Sequence, residues 1–277
     1  APACTTPPTP IFFAGAAMKP TILLLSGTSE GPVLAQALLE AGFRSIIATV
    51  TREEARAHLF GHFQDTITVL AQGFTAESLT QFLVQHQIGL VLDATHPFAV
   101  RITRMAAAVC QQLSTPYVRY ERPDWEPPEG TVYVDSYAEA ACTLPSLGSR
   151  MMLTIGAKQL KHFASLHEQL TLFARILPSP ISVQQALDAG FTQAQILALR
   201  PPFSRAFNRS LLEEYRADVL VTKASGADGG VVEKVMAAQE LGLTTLMIRR
   251  PEPHDHQAVS TPVAAVEACC QAFFMTE

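Results

Sequence analysis

The chain has 277 residues and a formal net charge of −5, a length that suits one large α/β domain or two of ordinary size. Hydrophobic residues make up 48% and charged residues 16% of the sequence, so a sizeable core is expected and global disorder is excluded. The sequence has no basic run, which excludes nucleic acid as a partner because phosphate contacts need clustered positive charge.

The five cysteines fall at no metal-ligand spacing. No protein-bound metal is therefore predicted, and the thiols are expected to be reduced in a cytoplasmic protein. No apolar run approaches the roughly 18 residues that cross a bilayer, so no membrane association is predicted. Residues 1–17 lack the positive n-region of a signal peptide and are expected to be a disordered extension.

From residue 18 onward, short apolar runs alternate with amphipathic segments, which is typical of βαβ units and a parallel sheet. The first half of the chain predicts strands at 21–25, 45–50, 66–70, 90–92 and 117–120, and helices at 29–41, 53–60, 76–86 and 98–113. The last helix has Phe98, Ile102, Met105 and Val109 on one face, so we expect this face to pack on the sheet.

The segment Glu121–Gly130 interrupts the alternation with three prolines and a glycine, and it is predicted to be a linker. Beyond it, strands are predicted at 132–134, 151–155, 170–174, 195–198, 219–222 and 244–248, and helices at 137–144, 183–189, 204–215, 231–241 and 262–274. The predicted fold class is α/β. Two Rossmann-like domains with mainly parallel sheets, over residues 18–122 and 131–277, are expected to face a central cleft.

A glycine-bearing turn follows the first strand and precedes a helix. Its candidate phosphate-binding residues are Gly27, Thr28, Ser29 and Glu30, because backbone N–H groups at a helix N-terminus attract anions. The full G-x-G-x-x-G fingerprint is not present, so a tight turn without a ligand is the alternative.

The end of the second strand bears on the choice of cofactor. A fold selective for NAD places Asp or Glu there, whereas this sequence has Thr51 and Arg52. A hydroxyl and a guanidinium suit the 2′-phosphate of NADPH. Glu53 and Glu54 follow directly, and a solvated Arg52 in the first turn of a helix is the alternative.

A polar cluster follows the fourth strand, at the edge where open α/β sheets bind ligands. It consists of Asp93, Ala94, Thr95, His96 and Pro97, which are predicted to contact the ribose or nicotinamide of the cofactor. His96 is a candidate proton donor, and capping of the following helix is its structural alternative.

Several of these segments together resemble the precorrin-6A/cobalt-precorrin-6A reductase family. The matching motifs, between about Lys19 and Arg250, are S-G-T-S-E from Ser26, D-A-T-H-P-F-A from Asp93, Y-V-R-Y-E-R-P-x-W from Tyr117, T-I-G from Thr154, A-R-I-L-P from Ala174, P-F-S-x-x-x-N from Pro202 and V-T-K-x-S-G-x-x-G-G from Val221. Ser26 is a departure, because the family commonly has a second glycine there.

The resemblance implies reduction of one C=C bond of precorrin-6A or its cobalt form to precorrin-6B, in cobalamin biosynthesis. It implies hydride from NADPH, no flavin and no protein-bound metal, with the cofactor mainly on the first domain and the tetrapyrrole in the cleft.

Two loops of the second half are expected to open onto one sheet edge and receive this large ligand with anionic arms. Their candidate substrate-binding residues are Thr154, Gly156, Lys223, Ser225, Gly226, Gly229 and Gly230. Lys223 is also a catalytic candidate, since a cation stabilises electron density that builds up on the ring. Arg122 and Arg175 are further candidates for binding carboxylates.

Two other functions fit the same architecture. A nucleotide-sugar glycosyltransferase also has two Rossmann-like domains around a cleft, but it predicts no affinity for nicotinamide. A non-catalytic NADP(H)-sensing protein predicts cofactor binding without a second ligand loop.

Overall fold

The computed structural model describes residues 19–51, 53–63, 65–123, 125–226, 230–251 and 258–274. Within these ranges the chain forms two fully parallel sheets, each with helices on both faces, which confirms the predicted α/β class. The predicted extension over 1–17 and the candidate residues Arg52 and Gly229 lie outside the described residues.

The first sheet has five strands in the order β3-β2-β1-β4-β5. Its strands are β1 (Thr21–Leu25), β2 (Ile46–Val50), β3 (Thr68–Ala71), β4 (Ile88–Asp93) and β5 (Tyr117–Arg119), and its helices are α1 (Glu30–Glu40), α2 (Glu53–Phe60), α3 (Ala76–Gln85) and α4 (Val100–Leu113). The central strands β1, β2 and β4 are almost continuously apolar because both faces of the sheet are covered.

The second sheet has six strands in the order β6-β11-β10-β7-β8-β9. Its strands are β6 (Val132–Val134), β7 (Arg150–Leu153), β8 (Thr171–Ile176), β9 (Ile196–Ala198), β10 (Val219–Lys223) and β11 (Thr244–Ile248). The helices of this half are α5 (Tyr137–Thr143), α6 (Pro180–Asp188), α7 (Arg205–Glu214) and α8 (Val231–Glu240). Helix α6 begins at Pro180 rather than Val183, because the hydroxyl of Ser179 caps it and proline suits the first helical position.

The segment Ala157–Leu166 forms a 3₁₀ helix that the α-helical period does not predict. Its buried residues Ala157, Leu160, Phe163 and Leu166 recur at every third position. A 3₁₀ helix has three residues per turn, so this spacing places all four side chains on one face against the second sheet.

The last helix, α9 (Pro262–Phe274), belongs spatially to the first sheet. The order along the chain predicts it in the second domain, whereas Ala265 and Cys269 are fully buried in the core that covers β1 and α1. A parallel bridge between Tyr120 and Val259 guides the chain back to this sheet. No helix in the described part of the chain is long and apolar enough to span a membrane.

Phe98 does not share the environment predicted for it. Helix α4 begins at Val100, and its residues Ile102, Met105 and Val109 pack against the first sheet as expected. Phe98 precedes the helix and packs instead against the core of the second sheet. It therefore joins the two halves of the molecule.

Each sheet has a position where the connections change direction. In the first sheet this position lies between β1 and β4, and in the second between β10 and β7. Ligands of open α/β sheets bind in the crevice at the carboxyl ends of such strands. The loops 26–29, 94–99 and 154–156 leave three of these strand ends, and residues 224–226 follow the fourth.

Gly31 permits the close approach of α1 to the end of β1. A Cβ atom at this position would overlap Ser26 Oγ and lie 2.8 Å from Phe60 Cζ. We expect Gly31→Ala to lower the free energy of unfolding by about 1–3 kcal/mol through overpacking, measured by denaturant titration. Gly61→Ala is the matched control, because nothing lies within 4 Å of its Cβ position. Equal effects of the two substitutions would contradict this account.

Candidate active site

The switch points of the two sheets face each other across a central cleft. The ammonium group of Lys223, the last residue of β10, lies 5.1 Å from the centre of the Phe98 ring, which follows β4. Arg122, which follows β5, reaches the loop after β10. Loops from both sheets therefore line one cleft, as the sequence predicts.

Arg122 and Glu30 form a buried ion pair that joins the halves. Arg122 Nη2 donates to Glu30 Oε2 at 2.7 Å, Nε contacts the other carboxylate oxygen, and Nη1 donates to the carbonyl oxygen of Ser225 at 3.2 Å. Both residues are only 6% exposed. The sequence predicts Arg122 as a substrate ligand and Glu30 as a cofactor ligand, but in the structure each neutralises the other.

The loop after β10 packs tightly on the segment that carries Arg122. Gly226 has a φ of +82°, and a Cβ there would lie 2.8 Å from Arg122 Cβ. Arg250 donates to the carbonyl oxygens of Ala224 and Arg122 at 3.0 and 3.2 Å. Ser225 and Gly226 are buried in this contact. They therefore support the wall of the cleft and are not exposed to a substrate in the way that the sequence predicts.

Asp93 organises the loop after β4 from below. Its carboxylate is fully buried and accepts hydrogen bonds from the Tyr117 hydroxyl at 2.7 Å and the Thr95 backbone N–H at 2.9 Å. Arg119 Nη1 lies 2.9 Å from Asp93 Oδ1 and also donates to Thr95 Oγ1. The direct cofactor contact predicted for Asp93 is therefore not available, because all these partners are internal. Tyr117 and Arg119 belong to the motif Y-V-R-Y-E-R-P-x-W, but the sequence does not show that they bind Asp93. That contact arises because β5 pairs with β4.

His96 is held as a neutral imidazole. Its Nδ1 accepts the backbone N–H of Phe98 at 3.1 Å, which leaves the proton on Nε2. Burial, and then the positive charges of Lys223, Arg122, Arg250 and Lys234, lower its pKa to about 3. This environment does not suit the proton-donor role predicted for His96, since an acid needs a proton to give at working pH. Hydrogen-bond donation from Nε2 and a structural role at the loop both fit.

The remaining candidates for cofactor binding come together around a small recess. It is lined by Thr28, Glu30, Ala94, Thr95, Pro97, Tyr120 and Arg122. Thr28 Oγ1 donates to the carbonyl oxygen of Ala94 at 3.4 Å, linking the two loops of the first switch point. Gly27 and Ser29 are exposed in the turn before α1, and Thr51 is exposed after β2.

The second switch point is formed as the sequence predicts. Thr154 donates its hydroxyl to the carbonyl oxygen of Val221 at 2.9 Å, which ties the end of β7 to β10. Gly156 and Gly230 have positive φ angles of +89° and +65° and begin the helices after the two strands. Their conformation favours glycine at both positions.

Three cations lie on the second-sheet side of the site. Burial, and then the charge of Arg122, lower the pKa of Lys223 to about 8. Burial lowers the pKa of Arg175, near the end of β8, to about 10. The third cation, Lys234 in α8, is not predicted from the sequence, because a lysine within a helix gives no signal of burial. Within the described ranges, no group of three or more His, Cys, Asp or Glu side chains is placed to hold a metal ion.

Comparisons with known proteins agree on one family. The profile of the family described as precorrin-6x reductase CbiJ/CobK matches residues 21–271. A cobalt-precorrin-6A reductase of Synechocystis is 35% identical over 254 residues, covering 91% of this chain and 96% of that protein. A precorrin-6A reductase of Rhodococcus erythropolis is 37% identical over 237 residues, covering 83% and 89%. The solved structure of CobK precorrin-6A reductase has a similar fold, with a TM-score of 0.75 and 24% identity over 91% of this chain and 97% of that one.

We expect the ion pair between Arg122 and Glu30 to contribute strongly to stability. Glu30→Gln or Arg122→Met should each lower the free energy of unfolding by about 3–5 kcal/mol, because one buried charge loses its partner. The double variant should lose about 1–3 kcal/mol less than the sum of the two, which a double-mutant cycle measures.

The exposed pair Arg209–Glu213, with both side chains 49% exposed, is the control for this cycle. Its coupling should stay below about 1 kcal/mol. Additive effects at Arg122 and Glu30 would show that the buried pair does not act as a unit.

Proposed function

The chain belongs to the precorrin-6x reductase family, and from this premise we propose that it reduces precorrin-6A or cobalt-precorrin-6A in cobalamin biosynthesis. The proposed reaction uses NADPH and saturates one C=C bond of the macrocycle to give precorrin-6B or its cobalt form. The observation that carries the proposal is the cleft itself. A glycine turn at a helix N-terminus lies on one side of it, and cations that form no salt bridge with a described carboxylate lie on the other.

The first-sheet side fits a dinucleotide. Nothing lies within 4 Å of the Cβ position of Gly27, so a ligand is free to approach the turn before α1. The first turn of α1 leaves backbone N–H groups that suit a phosphate. We propose that Gly27, Thr28 and Ser29 bind the diphosphate, and that Ala94, Thr95, His96 and Pro97 contact the ribose and nicotinamide. NADPH supplies a hydride when it is bound.

Thr51 and Arg52 support the preference for NADPH over NADH. Thr51 is exposed after β2, the neighbour of β1 in the sheet. The role of Arg52 rests on the sequence alone, where a guanidinium follows this strand in place of the acidic residue that suits NAD. No flavin or protein-bound metal is part of the proposal, and the proposed setting is the cytoplasm.

The second-sheet side suits a polycarboxylate ligand. Lys223 forms no ion pair or hydrogen bond with any described residue, although its side chain is partly buried. Such a charge is costly unless a ligand compensates it. We propose that Lys223 and Arg175 bind carboxylate arms of the tetrapyrrole, with Thr154, Gly156 and Gly230 shaping the edge where the ring approaches.

Lys223 also has a chemical role in the proposal. Hydride addition leaves excess electron density on the conjugated ring until a proton arrives, and a nearby cation stabilises that charge in a water-poor cleft. A pKa of about 8 keeps most of Lys223 protonated at neutral pH. Phe98 stacks beneath the ammonium group and holds it at the cleft.

Two assays test the proposed function against its alternatives. We expect the protein to bind NADPH and to oxidise it only when a tetrapyrrole substrate is present, measured by the loss of NADPH absorbance with precorrin-6A and cobalt-precorrin-6A side by side. Donor-diphosphate binding without nicotinamide affinity would favour a glycosyltransferase. NADPH binding without turnover on either substrate would favour an NADP(H)-sensing protein.

A substitution at Lys223 tests the proposed substrate contact. Lys223→Met should raise the KM for the tetrapyrrole by about 10-fold or more, with a smaller fall in kcat and no change in NADPH affinity. In the native enzyme KM should rise as the pH increases through about 8, because the protonated amine binds a carboxylate and the neutral amine does not. The variant should lack this rise. Unchanged KM and kcat would remove Lys223 from the site.

A further inference from the structure

Lys234 is a buried cation that the functional account above does not use. It is only 8% exposed and lies on the face of α8 that also carries Val231, Val235 and Ala238 into the core. In the described part of the chain, no carboxylate or hydrogen-bond acceptor pairs with it. A lysine buried without a partner destabilises the ligand-free protein, so its position calls for a compensating ligand.

Arg175 is held in place by a residue of α7, the helix that packs against α8. Its Nη1 donates to Asn208 Oδ1 at 2.6 Å, and its guanidinium lies 4.7 Å from the centre of the Phe203 ring. Asn208 is only 2% exposed, and its amide nitrogen donates to the carbonyl oxygen of Ser204 at 2.8 Å. The motif P-F-S-x-x-x-N thus places a ring and an amide oxygen around one guanidinium.

This arrangement orients Arg175 without neutralising it. Asn208 contributes a neutral acceptor, and no described carboxylate forms a salt bridge with Arg175. The hydrogen bond and the ring contact fix the guanidinium plane in advance, which lowers the entropy lost when it binds a ligand.

Arg175 and Lys234 lie on the same side of the second sheet. The side chain of Phe173 in β8 packs in the same core cluster as Val231 and Val235 of α8. Arg175 is two residues further along this strand, so its side chain points to the same face of the sheet, the face that α8 covers. After burial, the charges of Arg175 and Lys223 lower the pKa of Lys234 to about 7, while Glu233 acts in the opposite direction. Among the described residues, positive charge is in excess around Lys234.

We infer that Arg175 and Lys234 form a binding site for an anionic oxygen group, with Asn208 as the positioning residue for the guanidinium. The chemistry fits a carboxylate or a phosphate. The inference rests on the proposed function. If the substrate is the tetrapyrrole, the anionic group is one of its carboxylate arms, separate from the arm that Lys223 binds. A phosphate of NADPH is the other source of the same chemistry.

Lys234→Met separates a ligand-binding lysine from a structural one. Methionine is also unbranched and only one heavy atom shorter than lysine, and it removes the buried charge. We expect the ligand-free variant to have a higher Tm than the native protein, and the KM for cobalt-precorrin-6A to rise about 10- to 100-fold. Lys161→Met is the matched control, because Lys161 is exposed on the same half of the chain; it should change neither quantity.

Direct binding identifies the source of the anion. Titration of cobalt-precorrin-6A without NADPH should show weaker binding to the Lys234→Met variant, while titration of NADPH alone should be unchanged. The reverse result would still support an anion site but assign it to a phosphate of NADPH. Lys234→Gln, which keeps a polar side chain, provides a second variant if the methionine variant does not fold.

A lower Tm together with unchanged affinity for both ligands would overturn the inference, because Lys234 would then be structural. The Tm values and the binding affinities from titration do not depend on turnover. If the native protein binds both ligands but oxidises no NADPH, the proposed function fails while the anion site stands. If it reduces the substrate normally and Lys234→Met retains full affinity for both ligands, only the anion site fails.

Asn208 is tested through the residue that it positions. Asn208→Ser should raise the KM for the tetrapyrrole, because Arg175 loses its acceptor, and should add little to the effect of Arg175→Met in the double variant. Additive increases in KM would show that Asn208 does not act through Arg175.

Discussion

The buried ion pair between Arg122 and Glu30 is the interaction on which the arrangement of the cleft depends. Glu30 begins the helix after β1, and Arg122 follows β5 and reaches the loop after β10. A buried charge pair is costly to separate, since either partner alone is left desolvated. The pair therefore holds the switch points of the two sheets at a defined separation, and Gly226 allows the backbone contact that surrounds it.

The two sides of the cleft differ in whether their charged groups have partners within the protein. On the first-sheet side, Asp93 is satisfied by Tyr117, Arg119 and Thr95, so the loop that carries His96 is rigid before any ligand arrives. On the second-sheet side, Lys234 is buried and Lys223 is partly buried, and neither forms an ion pair with a described residue. A site that receives a large anion benefits from both properties. A preorganised loop lowers the entropic cost of binding, and cations without ion-pair partners gain charged hydrogen bonds when the anion binds. Such a site reduces the stability of the free protein.

The strands, the helices and the sheet edge of the candidate site follow from local properties of the sequence. Apolar runs such as Thr21–Leu25 and Thr244–Ile248 are continuous because parallel strands are buried on both faces, and their bounds in the structure are those predicted. The loops at Gly27, Asp93, Thr154 and Lys223 were identifiable because parallel strands end at one edge of a sheet. Loops at four strand ends therefore located the candidate site, although not the contacts within it.

What the sequence by itself determined is thus the fold class, the order of the elements and the loops of the candidate site, because these depend on periodicity and on neighbours in the chain. Only the tertiary structure decided which charges are paired. Arg122 and Glu30 are 92 residues apart and neutralise each other, whereas Lys234, inconspicuous within a helix, is left without a partner among the described residues. Phe98 and α9 likewise pack against the sheet that their place in the chain does not indicate. Pairing and burial depend on distances in space, and spacing along one chain contains no record of them.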